Sequence, residues 1–221
     1  MNFPELVSSY RRPRLSQELC ELSFGPYVGV DADGLPVIPW VRGINNSTLV
    51  LLRGSLAREA MKVFQTTMSW SGNDDFTLIG LRNNSFSPRN MRGYQSIIGN
   101  DGVSIIKQQL HEWGKDFPMI YGWGSTILID DWPGLIGSLY YPSDINSQTI
   151  YSNFVLAMRR AAKEGRRILA CDPENVMTNK REKSTLFGTV FETVDQYKGS
   201  MSYPVGLFAE GKRLMIVPTT D

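Results

Sequence analysis

The sequence predicts an α+β fold: one domain in which a mixed or mainly antiparallel sheet packs against two to three helices. Three observations carry this expectation. Apolar runs with strand character and stripes with helical spacing interleave without a regular strand–helix–strand series. Several runs are separated by segments of hairpin length. From Leu186 onward the chain alternates only strand-like runs and turns.

The totals place the chain among ordinary globular proteins. It has 221 residues, 42% hydrophobic and 20% charged, which is enough to build a sizeable core. The formal net charge is +1, so no global field selects an anionic partner, and a nucleic-acid site would have to be a local patch. Two cysteines, Cys20 and Cys171, exclude a disulfide framework and read as buried free thiols. The start of the chain lacks an apolar leader, which sets the expectation of a reducing cytoplasm. His111 is the single histidine, so sites needing two or three histidine ligands are out of reach.

Residues 1–24 read as a lead-in around Arg11-Arg12-Pro13-Arg14, and residues 25–221 as the domain, with a soft division expected near 142–147. Two apolar runs, 26–30 and 35–41, flank Asp31-Ala32-Asp33-Gly34 and predict a hairpin whose prolines push it to an edge. The remaining ligands of a calcium loop do not follow those aspartates. A strand is expected over 47–53, then a helix capped by Ser55 with Leu56, Ala60, Val63 and Phe64 inward. A strand over 76–81 precedes a long polar loop, 82–101. A helix over 103–113 comes next, with Asp101 as cap and Val103, Ile106, Leu110 and Trp113 on its buried face.

The most apolar and aromatic stretch, 117–141, is the expected centre of the fold. Within it a buried strand ends at Asp130-Asp131, and Trp132-Pro133-Gly134 reads as a turn. A second long helix is expected over 148–164, closed by Gly165, then a strand over 166–171. Strands over 186–194, 204–208 and 214–217 complete the chain, the last two joined by a loop over 209–213.

Four constellations could carry chemistry. The run Thr126-Ile127-Leu128-Ile129-Asp130-Asp131 resembles the strand-plus-acid motif that holds magnesium in ATPases. Its partner there is a glycine loop ending in Gly-Lys-Ser/Thr. Gly114-Lys115-Asp116 and Gly211-Lys212-Arg213 lack the hydroxyl and the leading glycine, so an ATPase of that type is not expected. Asp74 and Asp75, with Asp130 and Asp131, could instead hold a hard divalent metal for phosphodiester hydrolysis, Asp75 and Asp130 being the candidate ligands. Arg53, Ser125 and Glu192 occur in an order that resembles one class of ADP-ribosyltransferases. That resemblance implies that Arg53 and Ser125 organise a nicotinamide cofactor and that Glu192 supports an oxocarbenium charge. The chain departs from the class at Val190, where a second glutamate would stand. Arg159, Arg160, Lys163 and Arg166, with Lys180, Arg181 and Lys183, form the densest basic region and a candidate nucleic-acid patch.

The leading functional expectation is a non-enzymatic cytoplasmic binding protein, of the accessory or inhibitor type found in microbes and phages. It would recognise a protein partner through an aromatic- and arginine-rich loop surface, with no cofactor and no membrane. Arg89, Arg92 and Tyr94 are the candidate contacts, because Tyr and Arg combine buried area with hydrogen bonding.

Overall fold

The computed structural model describes residues 15, 17, 21, 25–31, 35–40, 49–72, 75–80, 95–139, 145–174, 187–193, 207–208 and 211–216. Its strands are β1 (Leu49–Arg53), β2 (Phe76–Gly80), β3 (Gln95–Ile98), β4 (Thr126–Ile129), β5 (Arg167–Asp172), β6 (Thr189–Thr193), β7 (Leu207–Phe208) and β8 (Gly211–Ile216). Its helices are α1 (Ala57–Trp70), α2 (Gly99–Trp113), α3 (Trp132–Leu139) and α4 (Ile145–Lys163). The strands form one sheet in the order β3-β2-β4-β5-β1-β6-β8-β7. Every pairing is parallel except that of β7 with β8.

This corrects the expected fold class. The sheet is parallel, with helices on both faces, so the fold is α/β and not an antiparallel α+β arrangement. The physical reason lies in the strands themselves. Leu49–Leu52, Thr126–Ile129 and Ile168–Cys171 are buried at every position, and a sheet with one wet face would alternate apolar with polar. Side chains on alternate faces meet different helices. Leu49, Leu51, Ile127, Ile129, Ile168 and Ala170 join a cluster with α2, α3 and α4. Val50, Leu52, Leu128, Leu169 and Cys171 join a second cluster with α1, on which Val28, Val37 and Trp40 also pack.

Several local readings change with the class. Trp132-Pro133-Gly134 is the first turn of α3, not a turn between strands. Asp131 caps that helix, its Oδ1 accepting from the Gly134 N–H at 2.9 Å, and a proline in the first turn forfeits no intrahelical bond. Ser55 does not cap α1; the cap position is Leu56, without a side-chain bond. The end of the expected 82–101 loop is β3 and the start of α2, and residues 82–94 lie outside the described residues. Trp113 is exposed, not on the buried face of α2. The hairpin before the sheet reduces to one antiparallel bridge, Val30 to Pro36, with Val28 and Val37 making backbone bonds around it. At the far edge only positions 209–210 separate β7 from β8. Of the soft division expected near 142–147, residues 142–144 lie outside the described residues and 145–147 open α4.

The long connection from α2 to β4 is fixed at the amino edge by contacts to its backbone. Gly124 precedes β4 where a Cβ would lie 2.6 Å from Phe76 Cα, so only glycine fits that approach. Arg166, just before β5, donates to the carbonyls of Trp123, Gly124 (2.9 Å) and Tyr121 (3.4 Å), which ties the 3₁₀ turn Pro118–Gly122 to the sheet. The central stretch is placed as expected: β4 is interior, and Ile127 and Ile129 are fully buried.

Ile129→Ala should therefore lower unfolding stability by about 2–5 kcal/mol in urea titrations, because a core cavity replaces the side chain. A midpoint that hardly moves would show that β4 is peripheral.

Candidate functional site at the carboxyl edge

A parallel sheet collects the carboxyl ends of its strands at one edge. Ligands of such sheets bind in the crevice outside those ends, where neighbouring connections leave over opposite faces. Here β1 sends α1 over one face, while β4 sends α3 over the other. The crevice therefore lies at the ends of β1, β5 and β4.

Its floor is a row of charges. Arg53 closes β1 and is in register with Asp172 on β5 and Glu192 on β6. The three alternate with Leu51, Ala170 and Val190, so they share the face that carries α2, α3 and α4. Arg53 Nη1 bonds Glu192 Oε1 at 3.1 Å, and its Nε lies 3.9 Å from Asp172 Oδ2. The Asp172 side chain is fully buried, and those of Arg53 and Glu192 are 15% and 13% exposed. Backbone bonds close the row: Thr193 Oγ1 donates to the Arg53 carbonyl at 2.8 Å, and the Gly54 N–H donates to the Asp172 carbonyl at 3.0 Å. Gly54 has φ +105°, and a Cβ there would stand 2.9 Å from Thr193 Oγ1, so the turn requires glycine.

Above the row a second pair spans the crevice. Arg58, in the first turn of α1, bonds Asp131 Oδ2 at 3.1 Å. The Oδ1 of Asp131 is already held by Gly134. Both oxygens of this carboxylate thus have partners, and the pair links the helix on one face to the helix on the other. Beneath it, Cys171 is a buried free thiol whose Sγ lies 3.3 Å from the Ala57 carbonyl. Burial pushes this thiol well above its ordinary range, and the nearby Asp130 carboxylate adds to the shift.

The sequence candidates distribute unevenly over this frame. Arg53 and Glu192 pair at the carboxyl edge, but Ser125, the third residue of the ADP-ribosyltransferase-like order, precedes β4 at the opposite, amino edge. Its hydroxyl donates to the Asp75 carbonyl. Asp75 is at that same amino edge, its Oδ2 accepting from the Ser125 N–H, while Asp130 and Asp131 stand after the carboxyl end of β4. Parallel pairing of β2 with β4 thus keeps the two candidate metal ligands, Asp75 and Asp130, at opposite ends of the sheet. Asp74 lies outside the described residues, and among the described residues no cluster of three or more potential ligands could hold a metal.

The basic region is split by β5. Arg159, Arg160, Lys163 and Arg166 lie at the end of α4, at the amino edge, and Lys180, Arg181 and Lys183 lie outside the described residues. Arg160 pairs with Asp116 and Glu164 and stacks its guanidinium 5.7 Å from the Tyr121 ring centroid. Arg166 is engaged by carbonyls. Arg160 and Arg166 are therefore committed within the protein. His111 is exposed, and Arg89, Arg92, Tyr94 and Cys20 lie outside the described residues.

No known family model matches the chain, and no curated protein sequence matches it either. The functional reading therefore rests on geometry alone.

Sequence reasoning missed Asp172, Arg58 and Cys171 as members of the groups around Arg53 and Asp131. In the sequence Asp172 is only the residue before Pro173, and its role arises from β5 lying beside β1, a non-local pairing. Arg53→Ala should cost about 3–5 kcal/mol, since it leaves Asp172 buried beside no guanidinium. Arg58→Ala should cost less than about 1 kcal/mol, because that pair is partly wet. Chemical denaturation of both variants gives the comparison, and equal losses would contradict the assigned burial. In a Cys20→Ser background, Cys171 should resist a thiol reagent until the protein unfolds; labelling at the rate of a free thiol would contradict its burial.

Proposed function

We propose that the chain is a binding protein with the architecture of a mononucleotide-binding α/β domain, acting on a protein partner without phosphoryl transfer. One observation carries the reading. At the carboxyl edge, the start of α1 and the acid that follows β4 are paired with each other. A phosphate-binding loop between a strand and a helix needs the full Gly-x-x-x-x-Gly-Lys-Ser/Thr run, whose amides cradle the phosphates. Between β1 and α1 there are only Gly54, Ser55 and Leu56, with no lysine. The acids that end β4 would hold magnesium in such a site. Here Asp131 is bound by Arg58 and by the start of α3.

The partner contact in this reading is the segment between β2 and β3, with Arg89, Arg92 and Tyr94 as its anchors. The chain leaves β2 at the carboxyl edge and re-enters at β3, the strand at the end of the sheet, so both flanks of the segment stand on ordered backbone. A cytoplasmic setting is part of the proposal, supported by the free thiol of Cys171. Among the described residues no helix is long and apolar enough to cross a membrane.

Two measurements test the proposal. Titration with a fluorescent ATP analogue and Mg²⁺ should give no saturable binding, and ATP no phosphate release above buffer. Saturable binding that vanishes in Asp131→Ala would overturn the non-catalytic reading. The triple variant Arg89→Ala, Arg92→Ala, Tyr94→Ala should keep its thermal midpoint while affinity for a partner captured from native lysate falls about tenfold or more, about 1.4 kcal/mol or above. A lowered midpoint with partner affinity intact would assign the segment a structural role instead.

A further inference from the structure

We draw no further inference here: the strongest candidate, the exposed aromatic and aliphatic patch of Trp113, Tyr121 and Leu156 where the end of α2 meets α4, carries nothing because nothing in the structure shows what covers it.

Discussion

The parallel sense of the sheet is the constraint on which the other features depend. Parallel neighbours cannot be joined by tight turns, so the chain must cross a face of the sheet between strands. The crossings at α1, and at α2, α3 and α4, cover opposite faces and leave the strands dry on both sides. Dry strands can be apolar, as Leu49–Leu52, Ile127–Ile129 and Ile168–Cys171 are here. Polar residues are then expelled to the strand ends. With one strand direction, the ends sort into two chemically different edges.

The two edges are put to different uses. At the amino edge, Arg166 and the close approach of Gly124 to Phe76 fix the return path into β4. At the carboxyl edge, charges of both signs meet and largely satisfy one another. Arg53 joins three adjacent strands at one level, and Arg58 with Asp131 ties the helices of opposite faces together. The buried ionic groups around Arg53 contribute little net stability compared with well-packed apolar ones, yet breaking them is costly. Their effect is to specify register: a one-residue slip of β5 or β6 would turn Asp172 or Glu192 away from Arg53.

Much of this is legible in the sequence at the level of elements and little at the level of pairing. The runs at Leu49, Phe76, Thr126 and Arg167 are strands, and the helices after Leu56, before Gly114 and before Gly165 exist near their expected bounds. The class is misread because unbroken apolar runs stand beside segments with the composition of turns. Asp131-Trp132-Pro133-Gly134 is such a segment, but the same residues are an aspartate cap with proline in a helix's first turn. Short-range chemistry cannot separate those two readings; the packing of the later residues Leu135 and Leu139 against the sheet decides between them. The site shows the same limit. Arg53 is recognisable as a polar residue at a strand end and Glu192 as one within a strand, but their proximity arises from β1 lying between β5 and β6, which no local pattern encodes. Asp75 precedes one strand and Asp130 follows another, so antiparallel pairing would bring them together, and only the parallel pairing of β2 with β4 puts them at opposite edges.

The position of β1 also governs how the protein is made. Among the described strands of the sheet it is synthesised first, yet both of its neighbours come from far later in the chain: the Arg53–Glu192 bond closes a separation of 139 residues. Such distant pairings make folding slow, because loop entropy is lost before the contacts form. Until β5 and β6 have been synthesised, Leu49–Leu52 has no strand on either side and its apolar side chains stay available to other chains. The nascent protein thus passes through a period in which a strand that is buried in the finished sheet is open to association.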